Sequence, residues 1–296
     1  MIKMKRVFWI MNLTGLLIGI VSCTNVNRDG NSKNGSDSLA IVLSEDESVV
    51  YLLPSPGEIL LRFYSADIPY KPELLNSPAN KDKYIGSKAQ TLNLGVYITD
   101  MAYSALFERP TETVSYLESI QTLSTESGIS STIFESLLER SKANAGQLDS
   151  LANISNEAFS NMLEFLESGG KETLVAQISA GAYIESLYLA VQSIDTYSKD
   201  NPTLDMLIEM KYPMDNLLEK AKISSAEEND KSIVNYLIQI SIIFNELDTN
   251  SEETIISQKA GGEISIGGGD EFTMDETSFN NLKIKVSEIR NTLVSF

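Results

Sequence analysis

The segment SFNNLKIKVSEIRNTLV, residues 278–294, places Phe279, Leu282, Val286, Ile289 and Leu293 at intervals of three, four, three and four. Side chains with that spacing lie on one face of an α-helix, so the stretch predicts an amphipathic helix laid against a core. The same period recurs upstream. Ile233, Tyr236, Leu237, Ile240, Phe244 and Leu247 form a broad stripe, and Ile184, Leu187, Tyr188, Val191 and Ile194 form another. No comparable run alternates with period two, the mark of a half-buried strand. The expected fold class is all-α, a multi-helix bundle.

Working outward, local signals place further helices. Pro56 suits a first helical turn, ahead of an apolar stripe of Ile59, Leu60 and Phe63. A loop rich in proline and lysine follows from Ile68 to Lys88, then Leu94, Ile98, Met101 and Ala105 at helical spacing. A helix is expected after Pro110, with Val114, Leu117 and Ile120 inside. Thr132 and Glu135 read as a capping box ahead of Leu137 and Leu138. Leu151, Ile154, Ala158, Met162 and Phe165 mark the next helix, closed by Gly169-Gly170. Asn201-Pro202 caps a helix carrying Leu204, Leu207 and Ile208, which Pro213 kinks or ends.

Two segments share Gly-x-Tyr-Ile: Gly95-Val96-Tyr97-Ile98 and Gly181-Ala182-Tyr183-Ile184. Glycine inside a helix costs roughly 1 kcal/mol against alanine, so two at matching positions predict close helix crossing there. Two origins stay open: chance, or a duplicated four-helix unit with repeats at 89–168 and 171–296.

The N-terminus carries Lys3, Lys5 and Arg6, an apolar run from Val7 to Val21, and Ile20-Val21-Ser22-Cys23. A charged start, a short apolar run and a small residue before the cut describe an export signal. The run holds Asn12, Thr14, Gly15 and Gly19 and falls short of the roughly 20 apolar residues that span a bilayer. Ile20 to Cys23 resembles the lipobox of bacterial lipoprotein precursors. The resemblance implies a signal peptide at 1–22, lipidation of Cys23 (the only cysteine), and a flexible tether at 23–40 rich in Asn, Ser, Gly and Asp. Residues 41–296 would form the helical domain. Thr24 resembles outer-membrane cargo in the sorting scheme of Gram-negative lipoproteins. The run Thr24 to Asp29 departs from the acidic signal for surface export, which favours the periplasmic face. Asp37-Ser38-Leu39 resembles a glycosylation pattern of exported Bacteroidota proteins. Without a second thiol the chain must rely on a core, and about 270 residues suffice for one.

Composition excludes more chemistry than it suggests. The chain holds 23 basic and 41 acidic residues, a net of −18, and removal of the signal leaves −21. That charge opposes nucleic acid and electrostatic docking on anionic lipid. The chain contains no histidine, which removes serine–histidine and cysteine–histidine catalysis and histidine-ligated zinc or haem. No Walker loop and no strand-led Gly-x-Gly-x-x-Gly is present. No catalytic residue, cofactor or metal ligand is assigned.

Carboxylates remain. A Gly-rich acidic segment at 251–275, with Asp270, Glu271 and Asp275 near its end and Glu276 just beyond, offers oxygen ligands of the kind Ca2+ takes, but its spacing is not that of an EF-hand. A pliable insertion before the last helix is the expectation. A carboxylate-based hydrolase of an envelope glycan would need two paired acids, but among 41 acidic residues neither Asp67 nor Asp100 is singled out by the sequence. Tyr64, Tyr70, Tyr84, Tyr97, Tyr103, Tyr183 and Tyr188 fit either a core or a sugar- or peptide-binding groove.

A lipid-anchored helical bundle is similar in outline to the imelysin-like proteins. Tyr183 stands where the histidine of their Gly-x-His-x-x-Glu signature would be, and Glu185 falls one position early, so their metal-linked function does not transfer. Helical glycan-binding lipoproteins of SusD type share the anchor but no motif. The expected function is a non-catalytic binding or scaffolding module of the cell envelope, with an envelope protein or glycan as partner.

Overall fold

A computed structural model describes residues 55–64, 68–129, 135, 139–140, 143, 148–228, 231–258 and 264–295. The signal at 1–22, Cys23, the tether, Asp67 and Thr132 of the expected capping box lie outside the described residues. Among the described residues nine α-helices and one two-stranded hairpin form an all-α bundle, as the periodicity predicts.

The helices are α1 (Pro56–Tyr64), α2 (Ser87–Leu106), α3 (Pro110–Glu126), α4 (Leu148–Ser168), α5 (Glu172–Ser193), α6 (Pro202–Glu209), α7 (Lys211–Glu228), α8 (Ser232–Asn245) and α9 (Glu276–Val294). Local chemistry sets their ends. Asn201 caps α6 by accepting the Thr203 N–H at 2.9 Å, and Asp275 caps α9 by accepting the Ser278 N–H at 2.7 Å. Gly170, at φ +65°, takes the left-handed turn after α4. Pro213 sits in the first turn of α7, where a missing N–H costs nothing, so α6 stops and a second helix starts.

Two main cores result. Leu94, Ile98, Leu117, Ile120, Ile154 and Met162 fill one, among α2, α3, α4 and α5. Ile184, Leu187, Leu237, Phe244, Phe279 and Leu282 fill the other, among α5 to α9. The stripes of α8 and α9 bury as spaced, whereas Phe165 of α4 stays 41% exposed. Helices α2 and α5 are buried on nearly every side, because each faces neighbours all round. By length and composition α5 could cross a membrane, yet it lies buried as a core helix.

Two glycines bring the backbones of these helices into direct contact. A Cβ on Gly95 would stand 2.1 Å from the Ile178 carbonyl oxygen, and one on Gly181 would stand 2.0 Å from that of Leu92. The contact is reciprocal: each glycine lies over the carbonyl three residues before the other. Thr91 and Gln177, each four residues before its glycine, hydrogen-bond across the same crossing. Beyond it the local symmetry breaks. Thr99 donates to the Ala182 carbonyl at 3.1 Å, while its counterpart Glu185 turns to an arginine.

The segment expected as a loop instead forms β-strand over most of its length. Strands β1 (Asp248–Gln258) and β2 (Ile264–Thr273) pair antiparallel, Asp248 opposite Thr273 and Gln258 opposite Ile264, with an irregularity between Glu252 and Ile255. Ile255, Ile256, Ile264, Ile266 and Phe272 supply the β-branched and aromatic residues that favour strands. The glycines and charges drew the reading toward a loop and masked this pattern. Phe272 and Met274 return the chain to the second core.

Alanine in an exposed helix stabilises relative to glycine by up to about 1 kcal/mol. At this crossing the sign reverses. Gly95→Ala or Gly181→Ala should each cost about 3 kcal/mol or more, because a backbone oxygen cannot swing aside as a side chain can. Urea unfolding followed by circular dichroism checks this.

Candidate functional site

Just past each glycine, the crossing helices bring an acid into the core. Asp100 follows Gly95 by five residues and Glu185 follows Gly181 by four. Both are 0% exposed. From α9 comes Arg290, 7% exposed, adjacent to Ile289 on the apolar face of its helix. Its Nε and Nη2 donate to the two Glu185 oxygens at 2.9 and 3.0 Å, the bidentate geometry that holds a guanidinium best. Nη2 also donates to the Leu74 carbonyl at 2.9 Å, and the guanidinium lies 4.6 Å from the centre of the Tyr188 ring.

Asp100 is held less completely. Its Oδ2 accepts the Asn76 N–H at 3.0 Å, while Oδ1 has no partner at hydrogen-bonding geometry. Burial, then the neighbouring Glu185 carboxylate, drives the Asp100 carboxyl well above its ordinary range, against the pull of Arg290 and the Asn76 N–H. Arg290 keeps its proton: burial opposes the charge, but Glu185 more than offsets it and lifts the guanidinium above its usual range. Sharing one buried guanidinium, two acids at this depth favour the proton on Asp100, the less completely held of the two.

A polar seam continues from the cluster along α2. The Asn76 side chain donates to the Tyr84 hydroxyl at 2.8 Å, and Asn93 Nδ2 donates to the Leu293 carbonyl at 2.8 Å. The Tyr84 hydroxyl donates to the Val294 carbonyl at 3.4 Å. These carbonyls belong to the last turn of α9, which has no helical donors left for them. The seam therefore docks the C-terminal helix on α2.

Asp100, one of the acids named above without a role, enters this cluster, whereas Asp67 and the expected lipidation site Cys23 lie outside the described residues. Asp275 accepts backbone N–H bonds at the start of α9, chiefly from Ser278, and these hold its carboxyl below the usual range. Among the described residues no three acidic, histidine or cysteine side chains converge where a metal could sit. Four of the named tyrosines follow the core alternative: Tyr84, Tyr97, Tyr103 and Tyr183 are buried, and the Tyr183 hydroxyl donates to the Met210 carbonyl at 2.7 Å, while Tyr70 and Tyr188 are half-buried.

Sequence reasoning missed Arg290, Asn76 and the pairing of Asp100 with Glu185. A signal existed: each of the three charged residues adjoins or interrupts a buried apolar stripe. Ser55 and Glu58 were also overlooked. They form a reciprocal capping box, Ser55 N to Glu58 Oε2 at 2.9 Å and Glu58 N to Ser55 Oγ at 3.2 Å.

No family model, curated protein or solved structure matches this chain.

The raised Asp100 carboxyl has a definite pH signature. Below about pH 4 both folded and unfolded chains carry its proton; above, the unfolded chain releases it and the folded chain does not. Its contribution to stability therefore falls as pH rises from about 4 toward the folded pKa. Asp100→Asn lacks this loss. Across a thermal-melting series from pH 4 to 8, its Tm relative to the parent should climb; a flat or falling difference would mean an ionised Asp100.

Proposed function

We propose that this chain is a lipid-anchored protein of the cell envelope whose helical domain binds or scaffolds rather than catalyses. The observation that carries the reading is the closure of its buried acids. A glycoside hydrolase needs two carboxyls facing a sugar about 5 to 9.5 Å apart. Asp100 and Glu185 are both fully buried, and Arg290, Asn76 and Tyr188 complete the cluster around them. They hold helices together and leave no room for substrate. A hydrolase of envelope glycan, the competing reading, would need a different pair.

The anchor rests on the lipobox-like Ile20-Val21-Ser22-Cys23 behind a basic and apolar leader. An outer-membrane position facing the periplasm follows from Thr24 and from the missing acidic export run. Several acyl chains would hold the protein where one would not, each buried CH2 adding about 0.8 kcal/mol. A net charge of −21 beyond the signal suits a protein or glycan partner over nucleic acid.

Expression in a Gram-negative host with labelled palmitate tests the anchor. The parent chain should take up label and fractionate with outer membrane, and Cys23→Ala should lose both properties. Equal membrane association without label would contradict the anchor.

A further inference from the structure

Helix α8 is an uncharged element on the surface of an acidic chain. Among the described helices it alone carries no aspartate, glutamate, lysine or arginine. Its inner face, Ile233, Leu237, Ile240 and Phe244, enters the second core. Its outer face lacks the charge that an outer face ordinarily carries. Ile242 is 50% exposed and Ile238 37%, one turn apart, and Asn235, Gln239 and Asn245 are exposed around them. Single surface isoleucines are ordinary. An uncharged face along a whole helix is not, in a chain whose net charge is −18.

That face reads the same from either end. About Ile240 as midpoint, Ile238 mirrors Ile242 and Asn235 mirrors Asn245. The two caps carry opposite charges, exposed Lys231 before the first residue and exposed Glu246 after the last. Two copies of α8 laid antiparallel about an axis at Ile240 would set Ile238 opposite Ile242 and Asn235 opposite Asn245. The Lys231 end of each would then meet the Glu246 end of the other, within about one helical turn, which two long side chains span. A parallel pair would bring like charges together. A two-fold contact needs this self-complementarity, because each surface is its own partner. Charged faces of two such acidic copies repel, so an uncharged face is where they can meet.

We propose that α8 is a self-association surface that pairs two copies of this chain antiparallel through Ile238 and Ile242. One helix pair covers less than the roughly 1,200 Å2 that stable complexes bury, so the dimer is transient and forms where the chain is concentrated. The proposal rests on the binding-or-scaffolding reading and deepens it by naming the partner, a second copy. It does not require the lipid anchor.

Cysteine cross-linking of the full chain, expressed in a Gram-negative host, reads both the contact and its direction. The parent, whose only cysteine is Cys23, sets the background. Asn235→Cys and Asn245→Cys, differently tagged and co-expressed, should on oxidation give a mixed dimer at least about tenfold over that background. Either variant alone should stay at background, because antiparallel pairing holds its two new cysteines about 15 Å apart along the axis, beyond disulfide reach. Lys231→Glu should cut the mixed dimer about fivefold, since acids then meet at both ends, and adding Glu246→Lys should restore it. Both changes suit the helix ends they occupy, so neither threatens folding. Absence of the mixed dimer would overturn the proposal. Equal dimer from Asn235→Cys alone, or a cross-linked band of another mass, would overturn it too. Palmitate labelling at Cys23 is read separately in the same cells, so failure of the pairing and failure of the anchored-module reading are told apart.

Discussion

Everything in this fold is referred to the place where Gly95 and Gly181 let two helix backbones touch. Interhelical distances of 8 to 10 Å are ordinary when side chains intervene. Here each glycine lies against a main-chain carbonyl of the other helix, so no side chain separates them. That contact makes α2 and α5 a shared central pair. Each main core is then built outward from it, one with α3 and α4, the other with α6 to α9.

The charged cluster is a consequence of the same crossing. With the glycines in register, residues one helical turn further on converge, and these are Asp100 and Glu185. Two acids placed together away from water cannot both ionise, and a lone pair of carboxylates would cost several kcal/mol. Arg290 pairs with Glu185, and burial beside that carboxylate raises the Asp100 carboxyl well above its ordinary range. Arg290 in turn fixes the register of α9, whose final carbonyls meet Asn93 and Tyr84. Close backbone approach, a neutralised acid pair and a docked C-terminal helix are therefore one linked arrangement.

Much of the architecture was legible because apolar spacing reports burial directly. The stripes on α8 and α9 each face one core, and the 3.6-residue period identified them with their buried residues. Helices α2 and α5 gave a weaker orientation signal, since a helix buried all round has no polar face to contrast. Their glycines compensated, because glycine within a helix is unfavourable unless something must approach. The cluster was less legible. Asp100 stood out only as one acid among 41, and its partners lie 85 and 190 residues away, beyond any local pattern. The hairpin was misread for a physical reason as well: glycine and acid content argued for a loop, while isoleucines in both arms carried the strand preference.

The central claim is that the two glycines form one reciprocal contact, and a double-mutant cycle measures it directly. Urea unfolding of Gly95→Ala, Gly181→Ala and the double variant gives the coupling. If one added methyl already forces the helices apart, the second meets a widened gap. The double variant should then cost less than the sum of the singles by about 1 to 3 kcal/mol. Strict additivity would mean two independent contacts and would contradict the account.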